Sequence, residues 1–223
     1  MAEFYLVRHG QASFGTDDYD RLSALGEQQA LWLGQYFLER NIRFDRVIIG
    51  TQLRHRQSAV GICRGNDQKL DFTEHAGLNE YDFYALFNAL GDEHAELKAL
   101  VAGDKRHFYK ALKQVLQLWA DDKLSAAAPE SWTGFADRVA TARRFIQDCG
   151  GERVLVVSSG GPTGMMARQV LDAPALSAIE LNLQVRNTSF SHYYFNPQSV
   201  KLASFNNIPH LDVPGRFDSI SYG

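Results

Sequence analysis

An imidazole and a guanidinium stand side by side at the end of an apolar run, in the tripeptide Arg8-His9-Gly10 that follows residues 4–7. Such a run predicts a buried strand that ends in a loop, and open α/β sheets bind ligands at the carboxyl ends of their strands. Arginine binds phosphate oxygens through paired hydrogen bonds, and a neutral histidine is a competent nucleophile. The pattern therefore indicates chemistry on a phosphate group. Three residues also recur by chance, and a histidine near a strand end is more often structural.

A second junction of strand and helix is predicted where the apolar run 47–49 gives way to Gly-Thr and a polar stretch that contains Arg54. Thr51 is the predicted N-cap of this helix. Arg54 would lie in the first turn, where the helix dipole disfavours a cation, and a bound anion would resolve that conflict. The alternative is a solvated basic face, which fits Arg56 better than Arg54.

Two further segments carry groups that suit phosphoryl transfer. The strand candidate 154–157 runs into Ser-Ser-Gly-Gly, and backbone N–H groups at the start of the next helix would form an anion site at Ser159 and Gly160. Glycine-rich turns of this kind also occur for packing reasons alone. Glu80 lies among apolar and aromatic residues, where burial would raise its pKa toward that of a general acid. Most glutamates are simply solvated, so this signal is weak by itself.

An ordered set of motifs extends these segments over most of the chain. It comprises Leu-Val-Arg-His-Gly at 6–10, Leu-x-x-Leu-Gly-x-x-Gln-Ala at 22–30, Arg-x-x-Gln-Ser-Ala from Arg54, Leu-x-Glu ending at Glu80, Glu-Ser at 130–131, the strand 154–157 and Asn-Thr-Ser at 187–189. In this order the motifs resemble the histidine phosphatase superfamily, in its phosphoglycerate mutase-like branch. The resemblance implies that His9 is the nucleophile that becomes phosphohistidine. It also implies that Arg8 and Arg54 bind the phosphoryl oxygens, and that Glu80 protonates the leaving group and then activates water.

One position departs from the family pattern. Members usually carry a second histidine after the last parallel strand, in Ser-His-Gly-Gly, whereas this chain has Ser159 there. A serine donates one neutral hydrogen bond and supplies no charge. Losing a charge-assisted hydrogen bond costs roughly 1.5–3 kcal/mol, or about one to two decades in rate when the loss falls on the transition state. Slow turnover is therefore expected, and a catalytically silent phosphate-binding module stays an alternative.

The elements that must position these groups alternate between strands and helices. Strands are predicted at 3–7, 46–49, 154–157, 189–195 and 201–205, and helices at 23–40, 108–119, 135–146 and 165–171. This alternation predicts an α/β fold, a three-layer α/β/α sandwich with a mostly parallel central sheet. We expect one domain over 1–223, with a helical insertion at about 91–129 that lies over the strand ends. The family resemblance implies that this insertion shapes the substrate pocket.

Several other residues are candidates for the surroundings of the phosphate. Pocket positions are predicted for Gln11, Ser13, Phe14 and Tyr81, the last of which is as readily a core aromatic. A local negative patch is predicted at Asp17, Asp18 and Asp20, and either His55 or His75 could approach the phosphate, although neither has a motif of its own. The histidines lack metal-ligand spacing, so neither a metal nor a cofactor is expected.

Composition narrows the class of protein. The chain has 223 residues, of which 45% are hydrophobic and 22% charged, with a formal net charge of −3. These values are ordinary for a globular domain, and the absence of a large basic cluster argues against nucleic-acid binding. Two cysteines without a Cys-x-x-Cys motif indicate free thiols. A signal peptide and an apolar run of membrane-spanning length are both lacking from the sequence, so a cytoplasmic location without membrane partners is expected.

The sequence thus predicts an enzyme, a metal-independent phosphomonoester hydrolase that acts through a phosphohistidine intermediate. Its expected partner is a phosphorylated small molecule or phosphoprotein. A mutase that returns the phosphoryl group to another hydroxyl is a second possibility, but it must hold a second anionic group, and few basic residues are available for that.

Overall fold

One sheet organises the computed structural model, which describes residues 2–13, 20–101, 105–124 and 128–222. The six strands of these ranges follow the order β3–β2–β4–β1–β5–β6. Their bounds are β1 Ala2–Arg8, β2 Arg46–Ile49, β3 Phe72–Glu74, β4 Arg153–Ser158, β5 Phe190–Asn196 and β6 Ser199–Asn207. The four strands from β3 to β1 run parallel, whereas β5 and β6 are antiparallel to their neighbours. The predicted α/β class and mostly parallel sheet are confirmed.

Eight helices in the described ranges connect and cover the strands. Their bounds are α1 Ala24–Glu39, α2 Leu53–Gly65, α3 Phe83–Asn88, α4 Ala95–Val101, α5 Lys105–Ala120, α6 Trp132–Asp148, α7 Gly160–Val170 and α8 Ala175–Gln184. Helices α4 and α5 lie within the segment that the sequence predicts as an insertion. The domain limits and the role of that segment stay predictions.

The protein has two hydrophobic cores, one on each face of the sheet, because successive side chains of a strand point to opposite faces. Phe4, Leu6, Val154 and Val156 share one core with the buried faces of α5 to α8. On the opposite face, Tyr5, Val7, Leu155 and Val157 pack against α1 and α2. The central strands are therefore apolar on both faces, as buried parallel strands require, and helices form the two outer layers.

The structure differs from the sequence prediction at several places. Strand β3 and helices α3 and α8 were not predicted, because β3 has only three residues, two of them exposed, α3 has only six residues, and α8 has only two buried residues. The predicted N-cap at Thr51 is wrong, because α2 begins at Leu53 after Gln52. The Thr51 hydroxyl instead accepts a hydrogen bond from Asn79 Nδ2 at 2.7 Å.

Candidate active site

Three loops meet at one edge of the sheet because three parallel strands end at the same level. Val157 of β4 is in register with both Val7 of β1 and Ile49 of β2. The loops that follow begin with main-chain bonds to the same strand, since His9 N donates to Ser158 O at 2.9 Å and Gly50 N donates to Val157 O at 3.1 Å. Segments far apart in the sequence are thereby placed side by side, as the strand-end argument predicts.

His9 follows β1 and is held as a neutral imidazole with a defined tautomer. Its ring Nδ1 lies 2.7 Å from the carbonyl oxygen of Gly10, and because a carbonyl only accepts, Nδ1 carries the proton. Nε2 is left with its lone pair. Burial, followed by the charges of Arg54 and Arg8, lowers the pKa of His9 well below its ordinary value. The side chain is 4% exposed, and a neutral Nε2 at this edge is suited to nucleophilic attack.

The turn after His9 depends on glycine for close approach to α1. A Cβ atom at Gly10 would lie 2.4 Å from the carbonyl oxygen of Gly26, so any side chain would push α1 away. The Gly10 N–H donates to Ser58 Oγ at 3.0 Å, which ties the turn to α2. Asn187 Nδ2 donates to the His9 carbonyl at 3.2 Å, so a loop before β5 also holds the turn.

Arg54 lies in the first turn of α2 and is almost fully buried, with 5% exposure. Its Nη1 donates to Asp20 Oδ1 at 2.7 Å, while the second oxygen of that carboxylate accepts from Leu53 N at 2.8 Å. Asp20 therefore orients the guanidinium and satisfies a free N–H group of the helix terminus. The predicted negative patch has this specific role at Asp20, whereas Asp17 and Asp18 lie outside the described residues.

Arg8 is positioned by two main-chain oxygens, one at the end of α8 and one near the end of the chain. Its Nη1 donates to the carbonyls of Val185 and Tyr222. The C-terminal segment that reaches it is itself held by a hydrogen bond from Gln29 Nε2 to Ser219 O at 2.6 Å. No signal in the sequence indicated this contact, because carbonyl groups belong to every residue.

Glu80 is the carboxylate of the site. Its two oxygens face the N–H of Gly161 at 3.0 and 3.2 Å. Burial raises its pKa above the ordinary value, although the Gly161 N–H and the charges of Arg54 and Arg8 act in the opposite direction. The same two guanidinium groups influence His9, so all four predicted groups share one electrostatic neighbourhood. A carboxyl with a raised pKa can hold a proton for a leaving group.

Arg138 of α6 supports the loop that carries Glu80. Its Nη1 donates to the carbonyl of Asn79 at 2.7 Å, and its Nε and Nη2 each donate to the Glu130 carboxylate at 2.8 Å. A bidentate pair of this kind fixes the guanidinium in one orientation. The sequence motif at Glu130 pointed to this segment, but nothing indicated its partner Arg138.

Ser159 precedes α7, where its side chain makes no capping hydrogen bond. Its Oγ instead lies 2.7 Å from Nε2 of His55. Both residues are fully buried, and the His55 and His9 ring centroids are 5.7 Å apart. Burial, followed by the charge of Arg54, holds the pKa of His55 well below its ordinary value. The structure thus brings a second imidazole to the site from α2.

The other predicted positions make separate contacts. Gln11 accepts a hydrogen bond from Ser23 through Oε1 at 2.9 Å, and the backbone of Ser13 donates to Arg21 O at 2.8 Å. Tyr81 is a core residue, where its ring packs against Trp119 and Phe135. Gly160 is the first residue of α7, and Phe14 lies outside the described residues.

Among the described residues, His75 makes local contacts, and none of them is to His9, Arg8, Arg54 or Glu80. Its Nδ1 accepts from the N–H of Gly77 at 3.0 Å, and its ring contacts Phe145. No group of three or more His, Cys, Asp or Glu side chains among the described residues could hold a metal ion. Within those same ranges, no helix has the length and apolar character needed to cross a bilayer.

Comparison with known proteins adds evidence on family and fold. The model of the histidine phosphatase superfamily (branch 1) matches residues 4–208. The sequence matches none of the curated proteins. Solved structures of the same fold share about one fifth of their residues with this chain, a level at which similarity concerns the fold alone.

Three of these structures illustrate the similarity. A phosphoglycerate mutase from Bacillus anthracis is 20% identical, with 94% of each chain covered and a TM-score of 0.69. The alpha-ribazole phosphatase from Shigella flexneri is 21% identical over 92% of this chain and 96% of its own, with a TM-score of 0.64. A mutant phosphoserine phosphatase from Entamoeba histolytica, in complex with phosphoserine, is 20% identical over 95% of this chain and 100% of its own, with a TM-score of 0.63.

Proposed function

The chain belongs to the histidine phosphatase superfamily, branch 1, and we propose that it is a metal-independent phosphomonoester hydrolase with His9 as its nucleophile. The observation that carries the proposal is geometric: His9, oriented by the Gly10 carbonyl, follows β1, Arg54 lies in the first turn of the helix after β2, and the Glu80 carboxyl contacts the first turn of the helix after β4, all at one edge of the sheet. The imidazole supplies a nucleophile, the two guanidinium groups offset the phosphoryl charge, and the carboxyl supplies a proton for the leaving group.

In the first step, the phosphoryl group lies between Arg8, Arg54 and the N-terminus of α7 at Ser159 and Gly160. Nε2 of His9 attacks phosphorus in line with the leaving oxygen, so that an N–P bond forms and the ester P–O bond breaks. Glu80 gives its proton to the departing oxygen. The bond from Nδ1 to the Gly10 carbonyl stabilises the positive ring during attack.

In the second step, water hydrolyses the phosphohistidine. Glu80, now ionised, accepts a proton from the water as its oxygen attacks phosphorus, and the N–P bond breaks. Inorganic phosphate leaves, His9 returns to its neutral tautomer and Glu80 is again protonated. One carboxyl therefore acts as acid and then as base, and no net proton is left on the protein.

The proposed substrate is a phosphorylated small molecule, with a phosphoprotein as the alternative. Solved relatives of the same fold include a complex with phosphoserine, which supports a phosphomonoester as the class of substrate. A mutase is less well supported, because it must bind a second anionic group of its substrate. Arg138, a cation beside the Glu80 loop, is already paired with Glu130. Product analysis separates the two reactions, since a mutase yields an isomer and little free phosphate.

The proposal is tested by trapping the intermediate. Wild-type protein quenched during turnover of a ³²P-labelled phosphomonoester should carry acid-labile, base-stable label, and His9→Ala should carry none. His192→Gln is the matched control, because this histidine bonds to Glu3 Oε2 at 2.7 Å on strands β5 and β1, and it should still be labelled. Label that persists in His9→Ala would reject the nucleophile. Phosphate binding without turnover by the wild type would support the silent module.

A further inference from the structure

We infer that His55 and Ser159 act as one unit on the transferring phosphoryl group, with the Ser159 hydroxyl donating to a phosphoryl oxygen and His55 supplying positive charge through that hydroxyl. The inference rests on the proposed function. It assigns to α2 a second imidazole for the site, and it gives Ser159 a role beyond a lone neutral donor.

The first support is position. His55 is the neighbour of Arg54 in the first turns of α2, and its Nε2 lies 2.7 Å from Ser159 Oγ. The two residues come from helices that begin at the edge of the sheet where β2 and β4 end. The His55 ring centroid is 5.7 Å from that of His9, so the pair borders the proposed nucleophile directly.

The second support is a cavity built for the ring. A Cβ atom at Gly50 would lie 2.2 Å from Nδ1 of His55, so only glycine at this position leaves room for the imidazole. Both side chains of the pair are completely buried. Burying an imidazole and a hydroxyl is costly unless they are hydrogen-bonded, and their mutual contact satisfies Nε2 of His55 and the serine hydroxyl, whereas Nδ1 of His55 is buried without a hydrogen-bond partner in the described part of the chain.

The third support is the chemistry of a serine hydroxyl, which has one proton to donate and two lone pairs. When Nε2–H of His55 donates to Oγ, the serine proton is free to point at a phosphoryl oxygen. The serine side chain makes no capping hydrogen bond to α7, so capping of this helix does not fix the orientation of the hydroxyl. A protonated ring then strengthens the outer bond by polarising the hydroxyl between them.

Charge explains when the ring is protonated. The facing groups are Arg54 on its own helix and His9 after β1, and burial together with Arg54 keeps His55 neutral in the free protein. A bound phosphoryl dianion offsets the guanidinium charge and favours the imidazolium. One proton is therefore taken up from solvent when the anion binds, and it is released again when phosphate leaves. No covalent bond of the pair changes.

Kinetics of single and double variants test the unit. We expect His55→Gln and Ser159→Ala each to lower kcat by about 10- to 100-fold, as for the loss of a charge-assisted hydrogen bond. The double variant should lose no more than the single ones, because both remove the same path. Matched controls are His192→Gln and Ser191→Ala on β5, the latter losing a hydroxyl that accepts from Asn206 N at 3.2 Å. Unchanged kcat in His55→Gln, or losses that multiply, would overturn the inference.

Exchanging the two residues gives a test in the opposite direction. Ser159→His alone places an imidazole in space that His55 already occupies, so this variant should lose stability and activity. His55→Ala combined with Ser159→His removes the clash and restores one imidazole. The combined variant should therefore be at least tenfold faster than Ser159→His alone, and equal rates would contradict the assignment.

Nuclear magnetic resonance of ¹⁵N-labelled histidine separates this inference from the proposed function. Addition of vanadate should shift the ring nitrogens of His55 from the neutral to the protonated pattern in wild type, but not in Ser159→Ala. No shift in wild type would refute the inference even in an active enzyme. If the wild type released no phosphate from aryl phosphates, the proposed function would fail, and the vanadate response would still decide whether the pair meets a bound oxyanion.

Discussion

Replacing Glu80 by glutamine isolates the proton that the carboxyl is proposed to deliver. Glutamine keeps the size of the side chain and an oxygen that can accept from Gly161 N, which lies 3.0 Å from the native oxygen. The phosphate-binding groups are unchanged, so the Kd for inorganic phosphate should move little. What is lost is an acid for the leaving oxygen and a base for water.

The magnitude follows from the two roles. Removing a general acid costs about 10²- to 10⁴-fold, so turnover of an alkyl phosphate by Glu80→Gln should fall by that factor. A nitrophenolate leaves without a proton, so attack by His9 on nitrophenyl phosphate should continue. Hydrolysis of the phosphohistidine should then become slow. We expect a stopped-flow burst of about one nitrophenol per active site, followed by a steady state at least tenfold slower than in wild type.

The raised pKa also predicts the sign of a stability change. A carboxyl whose pKa is higher in the folded than in the unfolded protein binds more protons when folded. Its contribution to the free energy of unfolding is fully present below the pKa of the unfolded state, and it is lost as pH rises through the pKa of the folded state. Glu80→Gln should therefore unfold at a higher temperature than wild type at pH 8, and the difference should shrink at pH 4. Calorimetry at the two pH values measures this.

Glu74→Gln is the control for both experiments, because Glu74 forms an exposed ion pair with Arg56 at the edge of the sheet. The burst amplitude and the turnover of Glu74→Gln should equal those of the wild type. Equal losses of Glu80→Gln on alkyl and nitrophenyl phosphates, with no burst and no accumulated phosphohistidine, would refute the reasoning.

Two other predictions follow from contacts around the site. Gly10→Ala should destabilise the protein by about 1–3 kcal/mol in urea unfolding, since its Cβ would lie 2.4 Å from the Gly26 carbonyl oxygen. Gly134→Ala is the control and should not destabilise the protein, because its Cβ would meet only a Ser131 oxygen at 3.3 Å. Similar free energies of unfolding for the two variants would contradict the close-packing argument. Asp20→Asn should tighten inorganic phosphate binding about fivefold in isothermal titration, because releasing Arg54 from an exposed partner is equivalent to about 1 kcal/mol, and weaker binding would show that Asp20 mainly orients the guanidinium.

The neighbourhood of His9 and Arg54 was predictable from local patterns, whereas the role of Glu80 was indicated chiefly by the family resemblance. An apolar run that ends in Arg-His-Gly predicts a strand end, and parallel strands place their ends along one edge of a sheet. The three central strands were found within one residue of their predicted bounds at each end. Composition and helical periodicity sufficed for the α/β class, since buried faces leave a regular apolar pattern in the sequence.

The partners of these residues depend on tertiary structure. His55 and Ser159 are 104 positions apart, and they meet because β2 and β4 are neighbours in the sheet, which no local pattern encodes. The hydrogen bond from Arg8 to a carbonyl near the end of the chain leaves no side-chain signature. The sequence by itself thus determined which chemical groups stand at the strand ends. Only the packing of the strands decided that His55 of α2 lies beside Ser159 at the start of α7, because proximity across a sheet depends on strand order.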